Sequence, residues 1–202
     1  MMEKISKRIT MLLLVIMMIT QAFAQSSATE QIKRRAAEKV GLMNDYISYM
    51  ANKKKSEKTR LYYKTKALRL FAGGGDSYEE NGVQKEGVQM EVTSINRKTK
   101  SRRLMKKYFQ SLIDLKYNDV QITSTDVADI KVSQLQRIGE NLYVCTCYFE
   151  QAFIGYMDGK PVYKDITHKH VKCYVYAEET ESGTEFMVLL GDVTADQTRK
   201  LW

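Results

Sequence analysis

The chain reads as an α+β protein in which three helices pack on a strongly curved antiparallel sheet. Three observations predict it. Helical periodicity occurs before residue 117 and nowhere after it. From Asn118 onward, long segments alternate apolar and polar residues, as half-buried strands do. Turn sequences divide those segments: Gly139-Glu140-Asn141, Asp158-Gly159 and Glu181-Ser182-Gly183.

The first 24 residues read as an export signal. Lys4, Lys7 and Arg8 precede an unbroken apolar run from Met11 to Ile19, and Ala22-Phe23-Ala24 precedes Gln25. Basic start, short apolar core and small residues at the cut are the pattern of a secretory signal peptide, with cleavage expected after Ala24. The run is too short for a permanent membrane anchor, and no other segment is apolar enough to be one. The expected organisation is therefore signal peptide 1–24 and a single domain, 25–202, in the periplasm or outside the cell. Lys4, Lys7 and Arg8 outnumber Glu3 by two, so removing the segment lowers the net charge from +8 to +6. That balance suits anionic partners, and export argues against nucleic acid. A domain this size buries roughly 70% of its unfolded surface, enough to fold without disulfides or metal.

Each element has a local reason. Over 29–51, Ile32, Ala36, Val40, Met43, Ile47 and Met50 form one apolar stripe, and Ser27 with Glu30 makes a capping box. Ser56 caps a second helix that turns Leu61, Leu68 and Phe71 inward. It ends at Gly73-Gly74-Gly75, where glycine takes left-handed geometry without steric cost. Residues 76–86 read as irregular, and 88–92 as a strand. A third helix is expected over 101–116, with Leu104, Met105, Tyr108, Phe109, Leu112 and Leu115 on its inner face. Residues 120–138 read as one strand bent near Ala128-Asp129. The strands 142–156, 162–177 and 185–193 follow.

Two helices, a strand, a third helix and a run of long bent strands resemble the nuclear-transport-factor-2-like fold, a cone of curved sheet wrapped on helices. The phrases Asn141-Leu142-Tyr143-Val144-Cys145 and Lys164-Asp165-Ile166-Thr167 also resemble exported proteins of Bacteroides-type bacteria. The resemblance implies either a small enzyme, of isomerase or dehydratase type, or a non-catalytic binding or dimerising module. The fold does not choose between them.

The register around Asp158-Gly159 decides which residues face inward. A two-residue turn would pair Met157 with Lys160 and set Cys147 against His170. A three-residue turn with a bulge would pair Tyr156 with Lys160. It would put Tyr143, Cys145 and Phe149 on one face with Val171, Cys173 and Val175. The second segregates apolar from polar residues and is expected. Cys145, Cys147 and Cys173 are then buried thiols, with Cys145 and Cys173 diagonal neighbours. His168 and His170 lie on the opposite face, so no metal site and no cofactor are expected.

Two surfaces stand out. Arg97, Lys98, Lys100, Arg102, Arg103, Lys106 and Lys107 cluster without an intervening acid, at what reads as a helix N-terminus, where positive charge is disfavoured. They are the candidate dock for an anionic glycan, a lipid headgroup or an acidic protein. Tyr148, His168, His170, Tyr174 and Tyr176 lie on the outer sheet face and are the candidate homodimer interface. The resulting expectation is an exported, non-catalytic binding or scaffold domain that forms a homodimer. The alternative is a small isomerase, dehydratase or hydrolase using the cone interior. It requires a buried acid or histidine in a pocket, and Asp126, Asp129 and Asp192 are its weak candidates.

Overall fold

The computed structural model describes residues 2–80, 82–96 and 99–201, with side chains from residue 27 onward except that of 197. Two compact units emerge, 1–34 and 35–202. The backbone of helix α1 runs unbroken from Met2 to Ala51, so no helix start marks Ser27. The side chains of the expected signal segment lie outside the described residues. Within the first unit, Lys33 pairs with Glu30 at 3.0 Å.

In the second unit, Ala36, Val40, Met43, Ile47 and Met50 of α1 are buried, as their spacing requires. Helix α2 spans Glu57–Leu68, and the Ser56 hydroxyl caps it by accepting the Thr59 N–H at 3.2 Å. Leu61 is exposed rather than inward, whereas Phe71, beyond the helix, is buried. Gly73 and Gly74 have φ of 71° and 61°, the left-handed geometry expected where the chain turns after α2.

Residues 76–86 are not irregular. They contain a hairpin of β1 (Tyr78–Glu80) and β2 (Val83–Lys85). Strand β3 is Gln89–Val92. The expected third helix is shorter than its periodicity suggests. Ser101–Leu104 forms β4, paired with β3, and α3 occupies only Met105–Ile113. Cross-strand pairing captures four residues whose side-chain spacing also fits a helix. Met105, Tyr108, Phe109, Leu112 and Ile113 are buried. Lys53 and Arg60 donate to the Ile113 carbonyl at 2.8 and 2.7 Å, placing positive charge at the helix C-terminus.

The expected strand over 120–138 is broken into β5 (Asp119–Ser124), a 3-10 turn at Val127–Asp129, β6 (Lys131–Val132) and β7 (Gln136–Arg137). All three strands pair with β8 (Leu142–Met157), which pairs with β9 (Lys160–Thr180). Strand β9 in turn pairs with β10 (Gly183–Lys200). The main sheet runs β4-β3-β10-β9-β8-β5. It is mixed rather than wholly antiparallel, because β3 lies parallel to β10 through Met90 and Val193.

The β8–β9 register reaches the expected segregation by another route. The turn has two residues, Asp158 and Gly159, with φ of 50° and 73°, and Met157 pairs with Lys160. A bulge between Gly155 and Tyr156 then shifts the register by one. Cys145 therefore stands directly opposite Cys173, not diagonal to it. All three cysteines are free and buried, with the Cys147 and Cys173 sulfurs 3.6 Å apart.

Candidate functional site

Between α3, the 91–96 segment and the inner face of β8 and β9 lies a cavity of about 400 Å³. Its polar wall comes mainly from one strand. Tyr163, Asp165, Thr167 and Lys169 alternate along β9, so the period of two delivers all four to the same face. Gln151 and Phe153 of β8 stand opposite Thr167 and Asp165. The aromatic wall is Tyr117, Phe153 and Tyr163, with ring centroids 5.7–6.5 Å apart. Gly155 makes it possible: a Cβ there would come within 2.7 Å of the Tyr117 ring.

Asp165 is 6% exposed. The Tyr163 hydroxyl donates to its Oδ2, and Ser94 shares a 2.8 Å hydrogen bond with the same hydroxyl. Burial pushes the Asp165 carboxyl above the usual range; the Tyr163 hydrogen bond and the Lys169 charge oppose that rise. Tyr163 is pushed up to about 12, by burial first and then by its bond to Asp165. Lys169, 7% exposed, donates to Gln151 Oε1 at 2.7 Å and lies 5.6 Å from the Tyr108 ring centroid. Burial pulls its ammonium down to about 8, and Asp165 partly restores it. Gln151 Nε2 donates to Asn44 Oδ1 at 3.2 Å, which ties this row to α1. The result is a carboxyl, three phenols (Tyr108, Tyr117 and Tyr163) and an amine with displaced proton affinities, lining one cleft.

The residues singled out from sequence lie mostly elsewhere. Asp126 and Asp129 are exposed beside the 3-10 turn before β6. Asp192 accepts the Gln89 N–H at 2.8 Å and lies 4.0 Å from Arg102, a pairing at the β3–β10 junction. None of the three lines the cavity. Arg97 and Lys98 lie outside the described residues. The rest of the basic cluster has acidic neighbours after all: Lys100 and Arg102 meet Glu91 at 3.7 and 3.4 Å, and Lys106 meets Asp76 at 3.7 Å. Arg103 lines the cavity, and Lys107 is exposed. Among the described members of the cluster, only Lys106 and Lys107 stand in a helical first turn, so the dipole argument applies to those two of them.

On the outer face, His168 pairs with Glu150 at 2.9 Å and His170 with Asp196 at 3.0 Å. Tyr148 is exposed and packs edge-on against His170, and Tyr176 is exposed. Tyr174 is only 5% exposed and donates to Glu80 of the β1–β2 hairpin, which also takes Lys172 at 2.5 Å. The chain thus covers part of a face that sequence left bare.

No protein-family model matches the chain, and no curated protein matches it. Two solved structures share a distant likeness. One is named "Putative Scytalone Dehydratase", from Novosphingobium aromaticivorans: 14% identity, TM-score 0.40, covering 87% of this chain and 92% of that one. The other is a protein from Kribbella flavida: 12% identity, TM-score 0.40, covering 81% and 92%. At these scores neither likeness bears on what the cavity does.

Proposed function

We propose that residues 35–202 hold a small-molecule site that performs proton transfer, of isomerase or dehydratase type, with Asp165 as the group that takes up and returns the proton. The observation that carries this reading is a buried acid inside a cavity, the feature the enzymatic alternative requires. A volume of about 400 Å³ is within the range of small-ligand sites, and its lining of aromatic wall plus a few convergent polar groups suits a ring-bearing ligand with an oxygen function. Tyr163 orients the Asp165 carboxyl, and its hydrogen bond favours the carboxylate that is present before the proton is taken up and after it is returned. The element order still supports the nuclear-transport-factor-2-like reading, with the β1–β2 hairpin and β4 as additions to it.

Export after cleavage at Ala24, a homodimer through the outer face and an anionic dock on the basic cluster remain part of the proposal as separate surfaces. Among the described residues, no helix is long and apolar enough to cross a membrane.

The test is α-proton exchange of small cyclic and aryl ketones in heavy water, followed by proton NMR. The full chain should accelerate exchange, and Asp165→Asn should reduce it by roughly 10²-fold or more. Equal exchange by the two proteins, or none by the parent, would overturn the reading.

A further inference from the structure

Lys169 is not used by that chemistry, and its surroundings are not those of a structural lysine. A fully buried lysine is ordinarily paired with a carboxylate. Here, among the described residues, no ion pair within 4.0 Å involves its Nζ. The amine instead meets an amide oxygen, the Met90 sulfur at 3.9 Å and the face of Tyr108. Gln151 is itself engaged with Asn44, so its Oε1 stays turned toward the lysine. That leaves an amine with spare N–H positions, fixed in direction, in the wall of a cavity that also contains an acid.

We infer that Lys169 is a nucleophile that condenses with an aldehyde or ketone held in the cavity to form an imine. The inference rests on the small-molecule reading and names its substrate class, carbonyl compounds. The amine lone pair forms the C–N bond while the C=O pair moves onto oxygen. Nitrogen gives up two protons, the departing oxygen takes them, and water leaves. Asp165 and Tyr163 are the cavity groups that can carry those protons. A protonated imine draws electrons from the adjacent carbon, which eases the proton removal assigned to Asp165.

The test is reductive trapping on the full chain. Substoichiometric formaldehyde and cyanoborohydride are added at pH 7, and methylated peptides are located by mass spectrometry. An amine near 8 is free about 300 times more often at pH 7 than one at 10.5. Lys169 should therefore take label at least roughly tenfold faster than exposed Lys58, despite its burial, and lose that lead at pH 10.5. Benzaldehyde should give the same order. Labelling of Lys169 no faster than Lys58 at pH 7 would overturn the inference, as would labelling by formaldehyde but not benzaldehyde. The two readings fail separately. Ketone exchange that depends on Asp165 without label on Lys169 sinks only the imine. Label on Lys169 without ketone exchange sinks only the acid–base reading.

Discussion

Replacing Lys169 with methionine gives a stability change whose pH dependence follows from the structure. Below pH 8 the lysine is protonated both folded and unfolded, and the folded state bears the full cost of enclosing that charge. Between about 8 and 10.5 the folded protein has released the proton while the unfolded chain still holds it. The unfolded state binds more protons there, so wild-type stability rises with pH across that window. The gap is 10.5 − 8 = 2.5 pH units, worth about 3 kcal/mol in total. Methionine fills similar volume without charge, but leaves Gln151 Oε1 without its donor, at a cost of ~1–3 kcal/mol. Lys169→Met is therefore expected to be equal to or more stable than the parent at pH 7. It should lose about 3 kcal/mol relative to it by pH 10.5. Urea unfolding of both proteins at pH 7, 8.5, 10 and 10.5 measures this, since other groups titrate in parallel and cancel in the difference. A difference that stays flat across the series would refute the reasoning, because it would mean the amine is solvated in the folded state.

Three further outcomes are expected. Gly191→Ala should cost ~1–3 kcal/mol in urea unfolding, since its Cβ would come 2.7 Å from the Tyr174 ring, and the cost should largely vanish when Tyr174 is already alanine. Cys145, Cys147 and Cys173 should resist a thiol reagent in native protein and all react in denaturant; fast native labelling of all three would contradict their burial. Tyr148→Glu with Tyr176→Glu should convert the proposed dimer to a monomer by light scattering, and a parent that is already monomeric at tens of micromolar, roughly the range of weak interfaces, would remove that proposal.

The long strands were legible because two signals agreed. Alternation over 142–156, 162–177 and 185–193 demanded a buried face, and the Asp158-Gly159 and Glu181-Ser182-Gly183 turns fixed where chains reverse, although the last strand runs on to Lys200. The α1 stripe was legible for the same reason. Residues 101–104 were misread because Leu104 continues the apolar spacing of α3. Only partner strand β3, a tertiary fact, assigns them to a sheet. The cavity had a sequence signal that went unused. The parity that turns Val171, Cys173 and Val175 inward also turns Lys169, Thr167 and Asp165 inward. Three polar residues at positions where a packed core wants apolar ones mark a break in the core. What sequence could not give was the closing wall: Tyr117 reaches the site only because Gly155, far along the chain, leaves room.

Having the chemistry on one strand also constrains the size of what fits. Strand β9 keeps regular pairing with β8 from Tyr163 to Tyr176, so it acts as a ruler with a rise of ~3.3 Å per residue. Asp165 and Lys169 are four steps apart, which puts their backbones ~13 Å from each other along the strand. A ligand joined to the Lys169 amine must also present its adjacent carbon to Asp165, so the span between the two side chains restricts which ligands react. Chain length of the ligand, rather than its functional group alone, should then separate good substrates from poor ones. In a homologous series that bridges both ends, affinity should rise to an optimum length and then fall.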